Sequence, residues 1–193
     1  MMPLAPSGTP LAVVLPANAA EVQAVVKACA EAKVPIVPRG AGSGLSGAAN
    51  AIDGCVTLSL TKLNEIVEID AGNRLAVVQP GVVNLDFRNA VEKHGLFYPP
   101  DPSSYDWCMI GGNLSTNAGG LCCVKYGVTT DSVLGLEVVL ADGSLLKTGR
   151  RTVKGVAGYD LARLFVGSEG TLGVITQATV QLKPLPQAPA TLV

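Results

Sequence analysis

Three stretches of this chain gather the residues best suited to hold a ligand through the main chain. They are Pro38-Arg-Gly-Ala-Gly-Ser-Gly-Leu-Ser-Gly47, Ile110-Gly-Gly-Asn-Leu-Ser-Thr-Asn-Ala-Gly-Gly120 and Gly167-Ser-Glu-Gly-Thr-Leu-Gly173. Glycine accounts for 22 of the 193 residues, well above its usual share of about 7%, and much of it lies in these three places. Glycine reaches positive φ and lets neighbouring N–H groups approach a ligand with no Cβ in the way. A succession of such N–H groups forms a concavity that favours anions. Serine, threonine and asparagine are interleaved and charges are few. That mixture suits a large, polar ligand of nucleotide type held by convergent backbone donors. A glycine-rich scaffold with no ligand is the alternative reading of the same pattern.

Within the first stretch, Gly42-Ser-Gly44-Leu-Ser-Gly47 matches the dinucleotide fingerprint GxGxxG and follows a short apolar run. The context is wrong for that motif, which should open a helix. Here Ala48 to Gly54 contains Asn50, Asp53 and Gly54 and runs straight into the next apolar segment. A Walker A pattern is absent. The five cysteines, Cys29, Cys55, Cys108, Cys122 and Cys123, include no CxxC, and the only histidine is His94. Neither a disulfide framework nor a zinc site fits that spacing. Small buried hydrophobes in a reducing cytoplasm are expected, with a redox-active Cys122–Cys123 pair as the other reading. His94 is expected on the solvated surface.

The composition narrows the partners. Fourteen basic and 15 acidic residues give a net charge of -1, and charged residues are 15% of the chain, against roughly 25% in ordinary soluble domains. No basic block is present, so the electrostatic footprint of a nucleic-acid binder is missing. Mean hydropathy is +0.39, yet no apolar run approaches the ~18–20 residues of a transmembrane helix. The first basic residue is Lys27, and Pro16 interrupts the run Leu11 to Leu15, so a signal peptide is not expected either. A soluble, cytoplasmic protein with an apolar surface covered by a partner domain or subunit is the reading that results.

The elements that must position the three stretches can be placed by periodicity. Asn18 and Glu21 predict a helix start, with Val22, Val25, Val26 and Cys29 at helical spacing as far as Lys33. Ile36–Val37 and Val56 to Leu60 read as strands. Ile66 to Ile69 and Leu75 to Val78 form a hairpin around Ala71-Gly72-Asn73. Asn84 caps a helix through Leu85, Phe87, Val91 and His94, closed by Gly95. Tyr98 to Ser104 is too proline-rich for a regular element, and Ile110 to Gly120 reads as a loop. Val133 to Leu140 is a strand turning at Asp142–Gly143 into a return strand with Leu145–Leu146. Asp160 caps a short helix through Leu164, and Val174 to Leu182 is a long last strand. Paired strands and helices without a strict βαβ rhythm predict an α+β fold.

The three stretches, joined by Pro99-Pro-Asp-Pro-Ser103 between the first and second, occur in an order that resembles the FAD-binding domain of the vanillyl-alcohol oxidase/p-cresol methylhydroxylase (PCMH-type) flavoproteins. Leu136-Glu-Val-Val-Leu-Ala-Asp-Gly143 and Ala157-Gly-Tyr-Asp-Leu161 are similar to the D-2-hydroxy-acid dehydrogenase branch, which acts on glycolate, D-lactate or D-2-hydroxyglutarate. The resemblance implies two small α+β subdomains, residues 1–60 and 61–193, with FAD between them. Pro38, Arg39, Gly40, Ala41, Gly42, Ser43, Gly44, Leu45 and Ser46 would wrap its pyrophosphate. Asp101, Pro102, Ser103, Gly111, Gly112, Asn113, Ser115, Thr116, Asn117, Gly119 and Gly120 would line the isoalloxazine and ribityl portion. Glu169, Gly170, Gly173 and Ile175 would contact the adenosine side or close the pocket. Tyr126 and Tyr159 are expected in the core or the pocket wall rather than in catalysis.

Some relatives attach FAD through a histidine in the first glycine-rich loop, where this chain has Ser43, so non-covalent FAD is expected. The same resemblance implies oxidation of a D-2-hydroxy acid by hydride transfer to the flavin N5. That reaction also needs a base for the hydroxyl proton and a cation for the carboxylate. In the resembling branch a C-terminal cap domain supplies these groups. The chain stops at Pro186-Gln-Ala-Pro-Ala-Thr-Leu-Val193, so a flavin domain cut from a longer dehydrogenase, inactive alone, is expected. No catalytic residue or metal ligand is assigned in it, and the electron acceptor is unidentified. A non-catalytic flavin-binding subunit or assembly module is the alternative. A second enzyme reading, the NADPH-dependent peptidoglycan-precursor reductase with the same FAD fold, matches these loops less closely.

Overall fold

The computed structural model describes residues 7–187. Residues 188–193, which carry most of the proline-containing tail singled out above, lie outside the described part. The first strand, β1 (Ala12–Val14), leads to helix α1 (Ala19–Ala32). The Asn18 side chain accepts from the Glu21 N–H at 2.9 Å, and a Glu21 carboxylate oxygen accepts from the Ala17 N–H at 2.8 Å. The asparagine cap and the acid three positions on stand as expected from the sequence, with Glu21 reaching back one residue beyond the cap, to Ala17. The helix stops at Lys33, which adopts the left-handed conformation at φ 56°.

Strands β2 (Ile36–Arg39) and β3 (Val56–Ser59) complete a small sheet in the order β1-β3-β2, all parallel. β2 runs two residues past Val37 despite Pro38. It lies at the sheet edge, where a missing N–H costs no ladder bond.

The second sheet holds β4 (Ile66–Asp70), β5 (Leu75–Val78), β7 (Val133–Val139), β8 (Leu145–Gly149) and β9 (Val174–Gln181). Its order is β4-β5-β9-β7-β8, with every pairing antiparallel. One face of it carries the main core. Ala76, Val78, Leu136, Val138, Ala178 and Val180 from the sheet pack with Phe87 and Val91 of α2 (Asn84–Glu92), Ile110 and Leu114 of α3 (Ile110–Thr116), and Phe165 of α6 (Leu161–Phe165). Each large side chain buried this way contributes about 1.5–3 kcal/mol.

A second core joins the two sheets. Val22 and Val26 of α1, Leu58 of β3, Leu60 and Leu63 meet Val139 and Val174 of the larger sheet. A parallel sheet beside an antiparallel one, with helices packed on both, is the α+β arrangement expected.

Three features differ from the sequence reading. Ile110–Thr116 is helix α3, not loop. Tertiary packing overrides the low helix propensity of Gly111 and Gly112, because α3 lies too close to Pro80 for any side chain at 111. A Cβ there would stand 2.5 Å from Pro80 Cβ. Asn84 is not the cap of α2 but its first residue; Val83 holds the cap position and Asn84 is fully buried. Two-residue strands β6 (Leu96–Phe97) and β10 (Lys183–Pro184) pair antiparallel, and short turns α4 (Cys123–Tyr126) and α5 (Thr129–Ser132) follow α3. None of these four has a run long enough to show a periodicity.

Candidate functional site

The first glycine-rich loop leaves the C-terminal end of β2, and Leu60 leaves the C-terminal end of β3. Carboxyl ends of parallel strands are where open sheets of this kind present ligands. Opposite them stand α3, the start of β9, and the proline segment 98–104. Between these elements lies a cavity of about 600 Å³, within the usual range for cofactor sites of ≈ 300–1,000 Å³.

All the expected residues of the first loop line this cavity, from Pro38 through Ser46. So do Pro102 and Ser103, then Gly111, Gly112, Asn113, Ser115 and Thr116 of α3, and Glu169, Gly170, Gly173 and Ile175. Stretches 130 residues apart in sequence are therefore brought to one space. Asp101, Asn117, Gly119 and Gly120 are not among the lining residues. Asp101 accepts from the Cys122 N–H at 3.0 Å, and Gly120 sits so tightly on Asp101 that a Cβ would overlap its carbonyl. Asn117 ends α3 at φ 49°, with its side-chain oxygen accepting from the Thr130 N–H at 2.9 Å. These are structural roles behind the wall. Asn113 is also turned inward, 3% exposed, its amide engaged by Asn84 and Cys108.

Sequence reading did not single out Ala48, Ala49, Leu60, Pro80, Ser104, Trp107, Met109, Ala118 and Val174, which also line the cavity. Most are apolar, and an apolar residue carries no local sign of which cavity it faces. Tyr126 is half-buried against Phe97, with ring centres 5.6 Å apart. Tyr159 departs from its expectation: it is 96% exposed.

The backbone of the first loop explains how it can hold a ligand. Among the described residues, no N–H from Gly40 to Ser46 donates to a protein acceptor. Unpartnered donors in series are the nest that anions prefer. Gly42 turns the loop at φ 76°, and a Cβ there would overlap the Arg39 guanidinium. Arg39 itself donates from Nη1 to the Ala49 carbonyl at 2.9 Å, closing the loop on itself. The loop is clasped to the third stretch: Ser46 Oγ donates to Glu169 Oε2 at 3.1 Å. Glu169 is held at φ 55° while its N–H donates to the Ser115 carbonyl at 2.9 Å.

At three glycines the facing segments approach each other closely. A Cβ on Gly44 would lie 3.6 Å from Thr116 Cγ2, one on Gly40 3.6 Å from Met109, and one on Gly170 3.5 Å from Pro38. Side chains at these positions would fill the space that glycine leaves open. Charged groups in the lining are Arg39 and Glu169; no histidine, lysine, tyrosine or cysteine is among the described lining residues. An elongated ligand with an anionic middle and polar, uncharged ends fits the whole: N–H donors and a guanidinium in one loop, hydroxyls on α3, apolar walls between.

Behind the cavity, Cys122 and Tyr98 are perturbed. Burial and then the Asp101 carboxylate push the Cys122 thiol up to about 11. Burial raises Tyr98 above the usual phenol range, and Cys108 and Cys123 beside it add to the effect. All five cysteines are free thiols; Cys29, Cys55 and Cys108 are buried, Cys122 and Cys123 half-buried. No described helix is long and apolar enough to cross a membrane.

Comparison with known proteins places this geometry. The glycolate oxidase subunit GlcD of Bacillus subtilis (strain 168) is 54% identical over 183 residues, 95% of this chain and 39% of that protein. A D-lactate dehydrogenase of Anaerostipes hadrus is 46% identical over 173 residues, 90% of this chain and 36% of that protein. Among solved structures, alkyldihydroxyacetonephosphate synthase superposes with a TM-score of 0.81 at 29% identity, over 91% of this chain and 34% of that one. The chain thus spans little more than a third of the length of the proteins it resembles. A family model described as FAD binding domain matches residues 10–149, a span that takes in the first two glycine-rich stretches and the walls between them, and the chain belongs to that FAD-binding domain family.

Proposed function

We propose that this chain is the flavin-holding part of an FAD-linked oxidoreductase that oxidises a D-2-hydroxy acid of the glycolate, lactate or 2-hydroxyglutarate type. The observation that carries the reading is the run of N–H groups from Gly40 to Ser46 without protein acceptors, in residues that line a cavity with apolar walls. A dinucleotide diphosphate is the group whose charge and size that run complements. The names borne by the relatives supply the substrate class.

In this reading the backbone from Gly40 to Ser46 binds the diphosphate, with the free donors of Arg39 adding positive charge. Ser115 and Thr116 on α3, with Ser103 and Ser104, orient the polar edges of the ring system and ribityl chain. Leu60, Pro80, Met109, Val174 and Ile175 exclude water from it. FAD, when bound, supplies a two-electron acceptor for the hydroxyl-bearing carbon of the substrate. In this reading FAD is held non-covalently: Ser43 stands at the loop position, and the described lining residues include no histidine, cysteine or tyrosine to bond it. Glu169, the one carboxylate among the described lining residues, already accepts from Ser46 Oγ, and no histidine or lysine is among them to act as base for the substrate hydroxyl or as second cation for its carboxylate. We place those groups in another part of the whole protein, which is proposed to work in a reducing, cytoplasmic compartment and to pass electrons to a separate acceptor. Residues 1–60 and 61–193 are proposed as the two halves that close on the cofactor.

The test is a visible absorption spectrum of the purified chain after incubation with FAD and desalting. Retention of the flavin bands is expected, with no bleaching on addition of glycolate, D-lactate or D-2-hydroxyglutarate. A colourless protein would overturn the cofactor assignment, and rapid bleaching by one of these acids would overturn the placement of the base outside this chain.

A further inference from the structure

Asn84 does not line the cavity, yet every segment of one cavity wall is tied to it. Its backbone N–H donates to the Cys108 carbonyl at 2.9 Å. Its side-chain Nδ2 donates twice, to the Pro100 carbonyl at 3.1 Å and to Asn113 Oδ1 at 2.9 Å. Asn113 in turn donates from Nδ2 to Cys108 Sγ at 3.2 Å. Pro100 precedes the lining residues Pro102, Ser103 and Ser104. Cys108 precedes Met109, and Asn113 sits in α3 between Gly112 and Ser115. One amide, 0% exposed, therefore holds the proline segment and α3 at fixed spacing from each other and from α2.

The orientation of that amide is not degenerate. Asn84 Oδ1 is buried with no hydrogen-bond partner, whereas Nδ2 meets two acceptors. An unpartnered buried oxygen is a standing cost, and it remains because the flipped amide would set that oxygen against the Pro100 carbonyl oxygen. A residue chosen only to start α2 needs none of this: a helix N-terminus is served by a side chain at the cap position that accepts a bond, and Asn84 lies one residue further in and donates. An apolar side chain would fill the same core space with no orphaned oxygen.

We propose that Asn84 is a positioning residue for the cofactor cavity, holding the proline segment and α3 at the separation that the bound flavin requires. This rests on the FAD reading above. Removing Nδ2 frees the Pro100 carbonyl and the Asn113 amide to turn, so the wall loosens while the sheets and the first loop keep their places.

The experiment compares the unmodified chain with Asn84→Ala, Asn84→Ser and Val91→Ala. Val91 is a fully buried core residue on the same helix, away from the cavity lining. FAD affinity is measured by quenching of flavin fluorescence, the resolution of the bound flavin's visible bands is recorded at saturating FAD, and urea unfolding is followed without FAD. Asn84→Ala is expected to weaken FAD binding about tenfold or more and to blur the bound-flavin bands. Val91→Ala is expected to lose comparable or greater stability and bind FAD like the parent, with the same spectrum. Asn84→Ser keeps one donor too short to reach both acceptors and should fall between; it decides the matter if Asn84→Ala does not fold. Parent-like affinity and spectrum in the Asn84 variants overturn the proposal, as does equal loss of FAD by Val91→Ala. Failure of the parent chain itself to bind FAD overturns the cofactor reading instead.

Discussion

Replacing Gly112 or its neighbour Gly111 by alanine separates the demands of the fold from those of the ligand. Both lie in α3 and both line the cavity, but a Cβ meets different surroundings at each. At Gly112 it finds nothing within 4 Å. The substitution therefore carries only the helix-propensity gain of about 0.5–1 kcal/mol, and the chain without ligand should become that much more stable. The same methyl enters the space assigned to the flavin. Intruding on a filled site costs about 1–3 kcal/mol, so FAD should bind roughly ten- to a hundredfold more weakly. At Gly111 the methyl meets Pro80 Cβ at 2.5 Å and the Pro80 carbonyl oxygen at 3.1 Å. Neither can yield without moving the turn after β5, whose Pro80 carbonyl accepts from the Gly111 N–H at 2.8 Å. Overpacking of about 1–3 kcal/mol then outweighs the propensity gain, and stability should fall by about 1–2 kcal/mol. The assays are urea unfolding without FAD and fluorescence titration with it. Gly112→Ala with unchanged FAD affinity would refute the assignment of α3 to the cofactor wall, and Gly111→Ala as stable as Gly112→Ala would refute the close approach to Pro80.

Two further outcomes follow from perturbed groups. The Asp70 and Asp142 carboxyls titrate below the ordinary aspartate value, held down by the bonds they accept from Asn73 and Ser144 in their turns. Their contribution to stability is therefore present above the unfolded-state value of about 4 and lost as pH falls through the lower folded-state values; Asp70→Asn/Asp142→Asn should flatten the fall of the urea midpoint between pH 5 and the acid limit, and parallel curves for parent and variant would count against it. The Cys122 thiol, pushed up to about 11 by burial and then by Asp101, should carry on the order of a hundredfold less thiolate than an ordinary cysteine at neutral pH; site-resolved iodoacetamide labelling should be slowed accordingly in the folded chain and restored in urea, and equal rates in both states would show the shift to be absent.

What could be read from the sequence was whatever leaves a local mark. The Asn18–Glu21 cap, the hairpin at residues 71–73 and the long last strand, read as Val174 to Leu182 and found as Val174–Gln181, each depend on neighbours within a few positions, and each stands in the structure close to where the pattern put it. The glycine-rich stretches were legible for a different reason: a loop that must offer bare N–H groups can do so only with glycine and small polar residues, so the requirement is written in composition. The limit of that logic is visible in α3. Gly111 and Gly112 look the same in sequence, and as a pair they read as loop. At Gly111 Pro80 leaves no room for a side chain, whereas at Gly112 a Cβ would meet open space, and the helix forms because Ile110 and Leu114 are anchored in the core regardless. Asn84 marks the same boundary. At the start of a helix an asparagine reads as a cap, and only its distances to Pro100 and Asn113 show a donor facing inward. The apolar lining, Leu60, Pro80, Met109 and Val174, is silent for the converse reason, since a core side chain and a cofactor wall obey one rule of burial. Chemistry that needs a particular backbone is thus readable one residue at a time. Chemistry that needs a particular spacing between segments, as the gap between α3 and the proline segment does, is fixed by buried amides whose role no neighbouring residue reveals.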